Sequence, residues 1–112
     1  MAGTPRQLAG PVAMANGSYA TNIYNPASAL IYGVATHVHV NNNTSGILTF
    51  RLFRGASGAN AAGTDLAYDK EVPPHDFVDL FWQTRFESTD FLVGGASGPG
   101  LTIAVEGFES VK

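Results

Sequence analysis

The sequence predicts an all-β fold: an antiparallel β-sandwich, jelly-roll-like, with about seven to eight strands and an extended N-terminal arm. Three observations predict it. Several segments alternate apolar and polar residues with the period of two that marks a half-buried strand. Clusters of Asn, Gly, Pro and Ser separate these segments at roughly 8–12-residue spacing, as in sandwiches and barrels. No segment carries a better helical pattern than a strand pattern.

The elements follow in chain order. Residues 1–10 are polar and Pro-bearing and read as an extended arm, with residues 11–112 as one sandwich domain. Pro11 to Met14 predicts a short first strand, ended by the turn Ala15-Asn16-Gly17-Ser18. Tyr19 to Tyr24 alternates Tyr19, Thr21 and Ile23 against Ala20, Asn22 and Tyr24, and Asn25-Pro26-Ala27-Ser28 turns the chain again. Ala29 to Val40 is a long strand with Leu30, Tyr32, Val34, Val38 and Val40 on one face. Asn41-Asn42-Asn43-Thr44-Ser45-Gly46 then has the composition of a hairpin turn, because these residues tolerate positive φ and form local side-chain bonds. The hairpin's second arm is Ile47 to Arg54, with Leu48, Phe50 and Leu52 on one face.

A small-residue loop from Gly55 to Gly63 has no phosphate-loop lysine. Asp65 to Val72 places Leu66, Tyr68 and Val72 together, and Pro73-Pro74 breaks the strand. Asp76 to Thr84 sets Val78, Leu80 and Trp82 against Phe77, Asp79 and Phe81. Val78, Trp82 and Phe86 also fit a helix opened by Pro73-Pro74, but the aromatics and the all-β context favour a strand. Phe91-Leu92-Val93, a Gly-rich turn and Leu101 to Val105 complete the chain. The expected core is Leu30, Val34, Val38, Val40, Leu48, Phe50, Leu52, Leu80, Trp82, Leu101, Ile103 and Val105.

Composition narrows the function. The 112 residues predict one domain, able to bury a core but with little room for an active-site cleft besides. Charged residues are 13% of the chain, low beside the usual proportion of about a quarter. A neutral surface rich in small residues fits a protein covered by neighbours. The net charge is −3 and the six Lys and Arg are scattered, which argues against direct nucleic-acid binding. Without cysteine there is no disulfide, Cys-ligated zinc or thiol catalysis. Met1 to Pro5 does not start a signal peptide, and no apolar run approaches a membrane span. Asn16, Asn42 and Asn43 begin N-x-Ser/Thr patterns and read as turn residues.

The order of these motifs resembles small structural proteins of tailed bacteriophages: head-decoration, cement and tail-associated domains. The likeness runs from about Tyr19 to Phe108. Its sharpest pieces are Val40-Asn41-Asn42-Asn43-Thr44-Ser45-Gly46, Ser88-Thr89-Asp90-Phe91-Leu92 and Ala96-Ser97-Gly98-Pro99-Gly100-Leu101-Thr102-Ile103-Ala104-Val105-Glu106-Gly107. The resemblance implies a binding role with no catalytic residues.

The candidate chemical sites are sparse. His37 and His39 form an H-x-H pair that could share a metal. Arg51 and Thr49 would flank them on the neighbouring strand, no carboxylate is expected beside them, and His75 would have to supply the third ligand. The preferred reading is an outward sheet face with no metal and no cofactor. Asp65, Asp69, Glu71, Asp76 and Asp79 form an acidic cluster without EF-hand spacing, read as a solvated face. Asp76 and Asp79 superficially suggest a glycosidase pair, but nothing else supports an enzyme.

The strand of Phe77 to Trp82 is apolar on both faces, so one face needs cover from the fold or from a partner. The expected partner contacts are Phe77 and Phe81 on that strand, and Arg6 and Leu8 on the arm. The expected function is non-enzymatic: a virion protein, assembled in the host cytoplasm, that decorates and stabilises the head shell. Its partners would be the major capsid protein or other virion proteins, or sister copies in a homo-oligomer; no membrane is involved. The alternatives are a tail- or fibre-associated module and, from another class, a carbohydrate-binding domain.

Overall fold

The computed structural model describes residues 6–112. In chain order the strands are β1 (Arg6–Ala13), β2 (Thr21–Tyr24), β3 (Ile31–Asn42), β4 (Leu48–Gly55), β5 (Asp65–Val72), β6 (Asp76–Phe86), β7 (Phe91–Ala96) and β8 (Leu101–Val111). They form two four-stranded sheets with the orders β1-β8-β3-β6 and β2-β7-β4-β5. Every pairing within the sheets is antiparallel. This is the eight-stranded jelly-roll order, so the all-β sandwich expectation holds.

The core lies between the sheets and follows the period of two. Val38 and Val40 of β3, Leu101, Ile103 and Val105 of β8, Phe50 and Leu52 of β4 and Leu92 of β7 are all buried there. Each such side chain contributes about 1.5–3 kcal/mol of transfer free energy. Val34, Leu48, Leu80 and Trp82, also expected in the core, are half-buried. Strand β6 is a strand and not a helix, with Val78, Leu80 and Trp82 packed inward and Phe77 and Phe81 outward.

Three expectations need correction. The first is the β3–β4 hairpin. These strands lie in different sheets, so Asn43 to Ile47 is an arch between sheets. Asn42 holds it: its buried carboxamide donates to Gly46 O at 2.8 Å and Val72 O at 3.0 Å, and accepts from Thr44 N at 2.9 Å and Thr44 Oγ1 at 2.7 Å. A turn composition specifies reversal, not the plane in which the chain reverses. The in-sheet reversal is instead β4 to β5, through the small-residue loop, which bonds back to Tyr19 and Asn22.

The second correction is strand phase. Leu30 is 73% exposed and precedes β3. A bulge between Ala35 and His37 flips the alternation, so Ala35 points inward before it and Val38 and Val40 after it. Tyr32 and Val34 therefore share the outer face with the histidines, where Tyr32 lies beneath the Arg85 guanidinium at 3.8 Å. A similar irregularity near Asp69, whose φ is 49°, separates Tyr68 from Val72. Tyr68 turns out to stack on Arg51 at 4.2 Å.

The third correction concerns the arm. Residues 1–5 lie outside the described residues, but residues 6–10 belong to β1, where Arg6, Gln7 and Ala9 pair with β8 of the same chain. Leu8 packs against the core of its own domain. Arg6 pairs with Glu109 at 3.3 Å, and Glu109 also accepts the Tyr24 hydroxyl at 2.6 Å. Tyr24 comes from the opposite sheet, so this trio clamps β1, β2 and β8 together. Burial, and then the bond to Glu109, push the Tyr24 hydroxyl above its usual pKa.

Candidate functional site

Register builds the candidate site on the outer face of the first sheet. His37 of β3 stands opposite Phe81 on β6 and Glu106 on β8. His39 stands opposite Asp79 and Ala104, and Asn41 opposite Phe77 and Thr102. Directly opposed residues have Cβ atoms about 4.5–5.5 Å apart, so each imidazole reaches its neighbours without leaving the sheet.

The polar contacts are short. His37 Nδ1 lies 2.7 Å from Glu106 Oε1, and its Nε2 lies 2.7 Å from Asp79 Oδ1. His39 Nδ1 lies 2.8 Å from the same Asp79 oxygen. The rings are bracketed by aromatics. Phe81 stacks on His37 with centroids 4.8 Å apart and an 11° interplanar angle; Phe77 tilts against His39 at 5.0 Å. These contacts restrict both imidazoles to one side of the sheet and turn their nitrogens toward Asp79.

The electrostatics follow from this placement. Both nitrogens of His37 face carboxylates, so its pKa rises, chiefly through the bond to Glu106 and then through that to Asp79. Asp79 titrates below the usual carboxylate range because His39 and then His37 bond to its ionised form. The cluster is open to water on its outer side, with a hollow of about 320 Å³ lined by Pro11, His39, Asn41, Asn43, Thr102 and Ala104. Another hollow, of about 440 Å³, reaches His37 and Glu106 from beside Arg6 and Thr36.

Sequence reasoning placed His37 and His39 correctly on the outward face but gave them the wrong neighbours. Thr49 and Arg51 lie in the other sheet, where Arg51 bonds Asp69 at 2.7 Å. His75 donates its backbone N–H to Thr44 O, at the arch end of β6. Asp79 and Glu106 are the functional candidates that sequence reasoning missed beside the histidines. The alternation of β6 already turned Asp79 outward between two phenylalanines; only the pairing of β3 with β6 was hidden.

The acidic cluster is dispersed. Asp65, Asp69 and Glu71 belong to the second sheet, whereas Asp76 and Asp79 belong to the first. Asp76 and Asp79 are three apart on one strand, so they point to opposite faces and form no carboxylate pair. Phe77 and Phe81 are 52% and 75% exposed. Arg6, expected to engage a neighbour, pairs with Glu109 while its side chain stays 61% exposed, and Leu8, expected to do the same, packs against the core of its own domain.

No family model matches this chain, and no curated protein matches it. Among solved structures it is similar to a chain of the infectious bursal disease virus Gt strain, at 9% identity and a TM-score of 0.39, over 98% of this chain and 28% of that one. It is also similar to a chain of the Gx strain of the same virus, at 8% identity and a TM-score of 0.33, over 95% of this chain and 31% of that one. The chain thus spans less than a third of the length of either neighbour.

Proposed function

We propose that this chain is a non-enzymatic structural protein of a virus particle, a capsid decoration or cement protein that binds the assembled shell and stabilises it. The observation that carries the reading is the outer face of β6. Phe77 and Phe81 are large, exposed and outward on a strand at the edge of its sheet, where the core gains nothing from them. Exposed apolar stripes of this kind mark protein contacts, and aromatics are enriched at the centres of interfaces. The resemblance of the motif order to phage head-decoration and tail-associated domains supports a virion as the setting. A binder that prefers assembled shell over free subunits stabilises the shell by mass action. Trp82, the side chain a sugar-binding reading would want on the surface, packs inward against the core.

Co-sedimentation of the purified chain with assembled shells and with unassembled capsid subunits tests this. The expected result is saturable binding to shells, weakened at least tenfold by Phe81→Glu, with the variant's melting temperature close to the parent's. Equal binding of parent and variant, or no binding to shells, overturns the reading.

A further inference from the structure

We propose that His37, His39 and Asp79 form a binding site for one divalent transition-metal ion of the zinc type, with Glu106 as the residue that orients His37. Their donor atoms all lie within 4.8 Å of one another. Two imidazole nitrogens and one carboxylate oxygen are a donor set suited to zinc, cobalt, nickel or copper rather than to calcium or magnesium, which prefer oxygen alone.

Binding requires the two rings to close on the ion. Ligands at about 2.0–2.1 Å from a tetrahedral ion stand roughly 3.3 Å apart. The two nitrogens now meet one Asp79 oxygen at 2.7 and 2.8 Å but stand as much as 4.8 Å from each other, so the rings have to approach by about 1.5 Å while the carboxylate recedes by a fraction of an ångström. Asp79 sits on an edge strand with its side chain 29% exposed, which leaves it room to do so. On binding, the ion takes the place of the protons that His37 Nε2 and His39 Nδ1 hold toward Asp79: the first leaves to solvent, and His39 either releases its own or keeps it as the Nε2–H tautomer.

The surroundings are those of a prepared site. Glu106 accepts from His37 Nδ1, which turns Nε2 toward the ion; this carboxylate–histidine arrangement is the usual outer support of a metal-bound imidazole. Phe81 and Phe77 bracket the two rings and limit their rotation. Ala104, small and opposite His39, keeps that side open toward the 320 Å³ hollow. A three-ligand site with an open fourth position accepts water or a donor from a partner.

Calorimetric titration of the chelator-stripped full chain with Zn²⁺, and visible spectroscopy with Co²⁺, test the site. The expected result is one ion per chain, a Co²⁺ spectrum of low-coordinate character and a melting temperature raised by several degrees with Zn²⁺. His39→Ala and Asp79→Asn weaken Zn²⁺ binding at least tenfold, whereas His75→Ala leaves it unchanged. Glu106→Gln keeps the Co²⁺ spectrum but weakens binding by about 10–100-fold. In the unmutated chain, substoichiometric Zn²⁺ shifts the imidazole NMR signals of His37 and His39 and not those of His75, a readout that needs no variant to fold. Absence of binding up to millimolar Zn²⁺, equal affinity in the His39 and Asp79 variants, or equal shifts at all three histidines overturns the site. These measurements use the isolated chain, so their failure is distinguishable from a failure of shell binding.

Discussion

Replacing Asn42 by alanine tests the arch that carries the chain from one sheet to the other and positions β3 beside β6. The parent side chain donates to Gly46 O and Val72 O and accepts from the Thr44 amide and hydroxyl. The hydroxyl keeps an alternative partner in Gly46 O at 3.2 Å, so it is left out of the sum. At about 1 kcal/mol net for each of the other three bonds, and somewhat more for a carbonyl left dry, the loss is roughly 3–4 kcal/mol. For a domain of this size that lowers the melting temperature by about 12–20 °C. In urea, with a slope near 1.5–2 kcal/mol/M, the midpoint falls by about 2 M.

Asn42→Asp sharpens the test. It keeps the acceptor for Thr44 but sets a second oxygen against two carbonyls, and only a protonated carboxyl, with its single O–H, can donate to one of them. Its folded pKa is therefore raised above the unfolded value near 3.9. The stability this group contributes is present below about pH 4 and is lost as pH rises through the folded pKa. The gap between this variant and the parent should narrow as pH falls from neutral toward 4. A loss below about 1 kcal/mol in the alanine variant, or a gap that ignores pH in the aspartate variant, would show that the arch is held by its backbone alone.

Two further predictions follow from the Tyr24–Glu109–Arg6 clamp and from β1. The folded pKa of Tyr24 is raised, so its contribution is complete below the unfolded value of about 10 and is lost as pH rises beyond it; Tyr24→Phe should flatten the alkaline limb of a stability-versus-pH curve, and an unchanged limb would refute the assignment. Deleting residues 2–9 should lower the melting temperature of the monomer by several degrees, because Arg6, Gln7 and Ala9 pair with β8 and Leu8 packs on the core; an unchanged melting temperature would restore the free-arm view.

How far the fold was legible depends on which interactions are local. Strand existence is local: alternation in β3, β4, β6 and β8 reports burial on one face, whatever the partner strand. In β6 even the helical spacing of Val78, Trp82 and Phe86 is compatible with a strand, since all three are in phase at period two. Bulges are not local in this sense. Nothing in Ala35-Thr36-His37 marks an extra residue; the need for it arises from β8, where Gly107 and Glu106 are consecutive yet face Ala35 and His37. The arch was misread because Asn-Asn-Asn-Thr-Ser-Gly serves a hairpin and a crossing equally well. The burial of Asn42 decides between them, and that burial depends on Val72, thirty residues away.

The same distinction explains the site and bears on its use. Parity placed His37, His39, Asp79, Phe77 and Phe81 outward, but only the three-strand register joins them to Glu106. Once joined, the polar groups are paired with one another: His37 with Asp79 and Glu106, and His39 with Asp79. A partner that covers this face therefore desolvates groups that already have hydrogen-bond partners, and the penalty is far smaller than for isolated charges. The phenylalanines beside them supply the apolar area that rewards such covering. An outward strand reading Phe-Val-Asp-Leu-Phe has no use for its first and last rings in the core of the sandwich. It does have a use for them as walls that hold two imidazoles in place and as the surface a neighbour would meet. Both roles fall on the same side chains, so Phe81→Glu should disturb shell binding and the His37 environment together, whereas a change at Leu30, exposed but remote in register from the cluster, should disturb neither.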